Sequence, residues 1–390
     1  MPRLPEKPCQ MLTGIRGLVE KGKKVWLLDQ FGVLHDGKNA YPCAIEAVRQ
    51  LHAAGARIYI ISNSSRRSKN TLKRLEQKGF NPKWFEGVMT SGEITHQKLS
   101  VARNLNNATG EGVAGHGRER EPYFRFRPRS EGGDTSASDT DGDTSASELG
   151  DYFSDADEAA LDNQFTKLGD KVLHFTWSSK GNPIPLDGLG LTTVTDPKEA
   201  DFILAHGTQA VNGNGSGDAA DEQRKEGAVD VPLDNMKEML EEAAALGLPM
   251  VVANPDIVTV SGGGEESLIP MPGTLKNMYE EMEGGGPIFV MGKPAPIIYH
   301  KILEMTGALL EECVAVGDSM EHDIAGAMGA GCASVFVCAG IHAKQLGMPD
   351  LSGPEVGDGS GVKPPDEELV AALAVEEGAY PDYAVPVFMW

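Results

Sequence analysis

VWLLDQFGVLHDG, from Val25 to Gly37, is the stretch around which the rest of the chain can be arranged. Val25, Trp26, Leu27 and Leu28 form a short apolar run of the kind that is buried on both faces of a sheet, and the run stops at a carboxylate, Asp29. Gly32 and Gly37 permit tight turns directly afterwards. In an open parallel sheet the carboxyl ends of the strands border the ligand crevice, so a carboxylate there is placed for chemistry. An ordinary Asp closing a core strand is the competing reading of this stretch alone.

Outward from Asp29 the chain alternates strand and helix. Ala44 to Ala54 carries Ile45, Val48, Leu51 and His52 at helical spacing and ends at Gly55. Arg57 to Ile61 is a second apolar run, ending in Ser62, Asn63, Ser64 and Ser65 before a helix-compatible stretch from Arg66 to Lys78. Ser62 thus shares an edge with Asp29, where hydroxyls and free N–H groups can cradle a phosphate or simply cap the helix. Near the other end, Ile288 to Met291 leads into Gly292, Lys293 and Pro294 and then a helical Ile297 to Met305. Cys313 to Val316 is followed by GDSMEHD, Gly317 to Asp323, and Ser334 to Val337 adds one more strand. These strands are expected to complete the sheet begun at Val25.

Between the two halves, Lys171 to Trp177, Ala200 to Ala205 and Pro249 to Ala253 read as strands, and Leu233 to Ala245 and Thr274 to Glu283 as helices. The expected fold is α/β, a Rossmann-like parallel-sheet core formed by residues 1–86 and 287–390, with an α/β domain inserted over 87–286. Within the insert, about residues 101–165 lose periodicity. GDTSAS at Gly133 to Ser138 repeats at Gly142 to Ser147, and eleven acidic residues with no Lys or Arg lie between Glu131 and Asp162. Such a segment buries too little apolar surface to order itself, so it is expected to be disordered. Ser136, Ser145 and Ser154 each precede an acid by three residues, which suggests phosphorylation. Asn212 to Gly227 reads as a Gly/Asp-rich surface loop.

A formal net charge of −22 argues against a nucleic-acid or anionic-membrane partner. The Arg and aromatic residues interleaved over Gly117 to Ser130 can pair with the acidic tract beside them as readily as with nucleic acid. The five cysteines, Cys9, Cys43, Cys313, Cys332 and Cys338, show neither disulfide nor zinc spacing, which points to a reducing compartment. The opening residues have no apolar core of signal-peptide length and no run suits a bilayer, so a cytoplasmic location is expected.

Asp29, Ser62, Lys293, Asp318 and Asp323 therefore fall at successive strand ends. Carboxylates without His or Cys suit Mg²⁺, and a Lys with a Ser suits a phosphate dianion. Here the chain resembles the haloacid dehalogenase superfamily, in particular its class IIA phosphatases with a large α/β cap, such as pyridoxal, phosphoglycolate and nitrophenyl phosphatases. DQFGVLHDG at Asp29, ISNSS at Ile61, GKP at Gly292 and GDSMEHD at Gly317 match the four motifs in order, and the position of the insert fits the capped class. The chain also resembles plant and bacterial members carrying the same LLDQFGVLHDG. The resemblance implies that Asp29 is the nucleophile and forms an aspartyl-phosphate, with Mg²⁺ held by Asp29, the Phe31 carbonyl and Asp318 and supported by Asp323. It further implies that Ser62 and the backbone around Asn63 bind the phosphoryl group and that Lys293 screens charge. Asn254 and Asp256 resemble the cap's specificity loop. Cap-to-cap homodimers occur among resembling proteins.

Phe31 departs from the family, whose phosphatases usually carry there an Asp that protonates the leaving group and then activates water. General acid–base help is typically worth about 10² to 10⁴-fold. Three explanations compete: His35 or Asp36 substitutes, the substrate has a low-pKa leaving group, or the protein binds a phosphorylated ligand without turnover. The expected activity is Mg²⁺-dependent hydrolysis of a small phosphorylated metabolite, with the binding role as the alternative.

Overall fold

The computed structural model describes residues 8–108, 153–178, 184–212, 228–260, 268–349, 359 and 361–390. Seven parallel strands make the first sheet, in the order Gln10–Met11, Tyr383–Val385, Ala333–Val337, Cys313–Gly317, Val25–Leu28, Arg57–Ser62, Gly87–Thr90. Val25–Leu28 lies inside it, its four residues all buried. Trp26 and Leu28 face Ala44, Val48 and Leu51 of the helix Pro42–Ala53. Val25 and Leu27 face Ile298, Tyr299 and Ile302 of the helix Pro296–Thr306. A strand covered on both sides has no polar face to show, which is why the run is continuously apolar.

The inserted domain carries a second sheet, in the order Ile288–Val290, Met250–Val252, Phe202–Ala205, Lys171–Thr176, Ala210–Asn212, Ala228–Asp230, with Thr192–Val194 also pairing Lys171–Thr176. The helices Leu233–Ala245 and Pro272–Glu280 cover one face through Met236, Leu240, Leu275 and Tyr279. The other face, with Val172, Phe202, Leu204 and Val251, shares one apolar cluster with Leu27 and Ile298 of the core. The helices Ser91–Ala108 and Asp155–Phe165 contribute Ile94, Leu99 and Phe165 to that cluster, so the two sheets are joined by burial as well as by chain.

Three boundaries differ from the expectation. Gly87–Thr90 pairs with Arg57–Ser62, so the core runs past residue 86 before the insert begins. Ile288–Val290 pairs with Met250–Val252, so it belongs to the cap and the chain re-enters the core after it, not at residue 287. An apolar run reports that a strand is buried but not which edge it pairs with. The stretch expected to be structureless over about 101–165 is helical at both ends, Ser91–Ala108 and Asp155–Phe165. Ser154 starts the second helix with a capping box closed by Asp157, and Phe165 anchors its end in the core. The repeat, Ser136, Ser145 and Gly117 to Ser130 lie outside the described residues, as does nearly all of Asn212 to Gly227. Among the described residues no helix is long and apolar enough to cross a membrane.

Candidate active site

Register brings the site together. Leu28 stands opposite Val316 on one side and Ile60 on the other, so Asp29 emerges level with Gly317 and Ile61, one residue short of Asp318 and Ser62. Lys293 arrives from the cap side, three residues beyond the end of Ile288–Val290. Its Nζ donates to Asp29 Oδ1 at 2.5 Å and to Asp323 Oδ1 at 2.6 Å. Asp318 Oδ2 accepts from the Ile341 N–H at 2.8 Å, and Asp323 Oδ2 from the Ser319 N–H at 3.1 Å. Oxygens of Asp29, Asp318 and Asp323 all lie within 4.8 Å of one another, and all three residues are buried. Glycine makes the room: a Cβ on Gly32, whose φ is +74°, would stand 1.8 Å from Asp318 Oδ2, and one on Gly340 would stand 2.2 Å from it.

Three carboxylates face one ammonium, and the surplus negative charge shows in their proton affinities. Burial pushes the Asp318 carboxyl well above the usual range, and the charges of Asp29 and Asp323 push further. Burial likewise raises Asp29 to about 7, against the pull of Lys293. Burial also opposes the charge on Lys293, yet Asp29 and then Asp323 hold its proton well above the ordinary lysine range. An all-oxygen donor set with unneutralised negative charge fits a hard divalent cation such as Mg²⁺. The buried acidic residues thus fit the metal that the motifs imply.

Ser62 and Asn63 are more tightly committed than their sequence suggests. Ser62 Oγ accepts from the Ser64 N–H at 3.3 Å, forming a local turn. Asn63 is a stitch: its Oδ1 accepts from the Lys293 N–H at 2.7 Å, while its Nδ2 donates to the Lys293 carbonyl at 3.1 Å and to Asp256 Oδ1 at 2.8 Å. Asn254 lies just behind, its Oδ1 accepting from the Asp256 N–H at 2.8 Å. The pair expected in the cap therefore does reach the core, with Asp256 making the contact and the buried Asn254 supporting it.

Phe31 is 46% exposed, its ring edge-on to that of His35 with centroids 6.3 Å apart. Neither expected substitute acid is set to deliver a proton. Asp36 Oδ1 accepts from the N–H groups of Lys38 and Asn39 at 2.7 and 2.6 Å, and against the cost of burial these bonds hold its carboxyl below the usual range. Burial, with Lys78 nearby, lowers His35 to about 4, and its Nδ1 accepts from the Gly37 N–H at 3.1 Å. His35 is therefore neutral at pH 7, with its proton on Nε2. Both residues hold the turn from His35 to Asn39 that follows Asp29.

His322 was not singled out from the sequence. Its Nδ1 lies 3.2 Å from Ser319 Oγ and 4.0 Å from Asp256 Oδ1, which puts an imidazole where cap and core meet. Trp177 makes a second crossing, its Nε1 donating to Ser65 Oγ at 3.4 Å. The only signal for His322 was its place inside GDSMEHD, where the two aspartates take the attention.

A family model described as haloacid dehalogenase-like hydrolase matches residues 26–112, and a second, described as HAD-hydrolase-like, matches 290–355. Asp29 and Ser62 lie in the first segment, Lys293, Asp318 and Asp323 in the second. These two segments, each similar to haloacid dehalogenase-like hydrolases, flank the inserted domain and carry the central strands of the parallel sheet. It is 30% identical over 95 residues to a dihydroxyacetone phosphatase of Corynebacterium glutamicum (strain R), covering 24% of this chain and 33% of that protein. Against an acid sugar phosphatase of Staphylococcus aureus (strain USA300) it is 34% identical over 95 residues, 24% of this chain and 35% of that one. The chain thus spans about a third of the length of these curated relatives. Its fold is shared with a haloacid dehalogenase-like hydrolase from Brucella suis 1330, at TM-score 0.56 and 19% identity over 97% of this chain and 100% of that one. The p-nitrophenyl phosphatase from Archaeoglobus fulgidus follows at TM-score 0.51 and 19% identity, over 94% and 96%.

Proposed function

We propose that this chain is a Mg²⁺-dependent phosphatase that hydrolyses a small phosphorylated metabolite through an aspartyl-phosphate on Asp29. The observation that carries this is the buried Lys293 ammonium bridging Asp29 and Asp323 beside Asp318, since such a charge arrangement is costly unless a cation and a phosphate complete it. Asp29, the Phe31 carbonyl and Asp318 would hold the metal, with Asp323 behind them, and the metal supplies charge neutralisation at the phosphoryl oxygens. Lys293 fixes the rotation of the Asp29 carboxylate through Oδ1. Asp29 attacks phosphorus, the bond to the leaving oxygen breaks, and water then cleaves the acyl phosphate to restore Asp29. Ser62 and the backbone at Asn63 bind the phosphoryl group, and Asn254 and Asp256 place the cap over it.

Because Phe31 carries no proton and neither His35 nor Asp36 replaces it, the leaving group departs as an anion. This selects activated esters, whose leaving oxygens have low pKa, and turnover falls as that pKa rises. The same feature favours one alternative, a phosphate-ligand-binding protein without turnover. A cytoplasmic metabolite and a homodimer belong to the proposal as well.

The test is a screen of phosphorylated metabolites with Mg²⁺, run on the wild type beside Asp29→Asn, together with trapping of phosphate on Asp29. Phosphate release and a covalent adduct, both lost in the variant, are the expected result. Mg²⁺-linked ligand affinity with neither adduct nor burst would select the binding role.

A further inference from the structure

We propose that Tyr299 is a positioning residue for the cation of the Asp29, Asp318 and Asp323 cluster: its hydroxyl fixes the turn that carries Asp323 and thereby how that carboxylate is presented to Mg²⁺. The inference rests on the metal part of the reading above and is independent of whether turnover occurs. Tyr299 lies on the apolar face of the helix Pro296–Thr306, with Ile298 and Ile302, and is fully buried. A phenylalanine would fill the same space. The hydroxyl is what packing does not explain; a buried phenol needs an acceptor, and this one donates to the Asp323 carbonyl at 3.0 Å.

The turn it reaches has an uncommon geometry. Met320–Ile324 is a π-helical turn, wider than an α-helix, in which the Ile324 N–H donates to the Ser319 carbonyl at 3.1 Å, five residues back. Single π turns are rare and frequently mark functional sites. Within it both carboxylate oxygens of Asp323 are engaged, Oδ1 by Lys293 and Oδ2 by the Ser319 N–H, while Tyr299 holds the backbone. Glycines close the remaining space. A Cβ on Gly317 would stand 2.0 Å from Asp323 Cγ, and one on Gly326 would stand 2.4 Å from Tyr299 Cε2. Ring and carboxylate thus have little room to shift while the hydroxyl bond is made.

The competing reading is a core aromatic whose hydroxyl merely finds an acceptor. Tyr279 is such a case: it is buried, donates to the Leu248 carbonyl at 2.5 Å and accepts from the Gly286 N–H at 3.1 Å, both within the cap. Metal chemistry separates the two roles. Mg²⁺ demands near-octahedral oxygen geometry, whereas Ca²⁺ accepts larger and irregular shells, so a loosened carboxylate penalises Mg²⁺ more than Ca²⁺. General destabilisation weakens both alike.

The full-length protein is stripped with chelator and titrated calorimetrically with Mg²⁺ and, separately, with Ca²⁺, as wild type, Tyr299→Phe and Tyr279→Phe. Mg²⁺ affinity is expected to fall at least about tenfold in Tyr299→Phe, the scale of a lost contact behind a metal ligand, with Ca²⁺ affinity falling less and both kept in Tyr279→Phe. Circular dichroism establishes that each variant is folded. Gly326→Ala, which crowds the ring, replaces Tyr299→Phe if that variant is not folded, and the same loss is expected of it. Unchanged Mg²⁺ affinity in the folded variant, an equal fall for both cations, the same fall in Tyr279→Phe, or no Mg²⁺ binding by the wild type overturns the proposal. Failure of the phosphatase reading shows separately, as Mg²⁺ binding without phosphate release, and the titration still decides the role of Tyr299.

Discussion

Two clusters in this molecule are built from nearly the same groups, yet the backbone beneath them makes them different objects. Asp29, Asp318, Asp323 and Lys293 hang from strand ends and the segments that follow them, each 8% exposed or less, with glycines pressed against the carboxylates. Asp155, Glu158, Glu304, Lys98 and Lys301 project from helix faces, and their exposure ranges from 4% for the Lys98 side chain to 94% for that of Asp155. Water can screen much of the second group and almost none of the first. The same carboxylate is therefore an anchor in one place and an unsatisfied demand for a cation in the other.

The sharpest way to break that contrast is Asp29→Asn. Turnover should fall about 10⁴-fold or more if Asp29 is the proposed nucleophile, because among the described residues no other carboxylate stands at the end of that strand. Activity within tenfold of wild type would remove the strand-end cluster from the chemistry altogether.

Phe31→Asp should raise kcat/KM for alkyl phosphates by about 10² to 10⁴-fold while changing aryl phosphates far less. No gain on alkyl esters in a folded variant would mean that a proton donor is already present or that turnover does not occur.

The third expectation concerns pH and the metal-free protein. Burial raises Asp29 to about 7 and carries Asp318 well above its ordinary value, so the folded state binds protons that the unfolded chain has released. The stability they contribute is full below about pH 4 and is lost as pH rises through about 7 for Asp29 and higher for Asp318. Thermal melts in chelator should decline over that range, and Mg²⁺ should flatten the slope; a slope of opposite sign would contradict the buried-charge account. On the helix-borne cluster, Lys98→Met should cost about 2 kcal/mol in denaturant unfolding, the scale of a lost charged hydrogen bond. A loss as large as that from a core cavity would show that this cluster too is desolvated.

How much of this could be read in advance depended on whether the physics was local. VWLLD, RIYIIS and CVAVGD each show a strand and its terminal group within a few residues, and their common parallel register is enough to bring Asp29, Ser62 and Asp318 together. Gly87–Thr90 and Ile288–Val290 were placed in the wrong domains because pairing is decided by distant edges. The helix starting at Asp155 was hidden by its acidic composition: its hold on the protein comes from Lys98, Lys301 and the core contact of Phe165, none visible within its own residues. His322 and Asp256 meet at a separation of 66 positions in the chain, and Asn63 joins Lys293 at one of 230, separations that local pattern does not report.

Lys293 follows the outermost strand of the cap sheet, not a strand of the core. Its backbone is pinned to Asn63, which also grips Asp256 of the cap. A displacement of Asp256 or of the outermost cap strand is therefore passed on to the ammonium that pairs with Asp29. In the phosphatase proposed above, the placement of the cap thus bears on the charge beside Asp29 through contacts that Asp29 does not itself make.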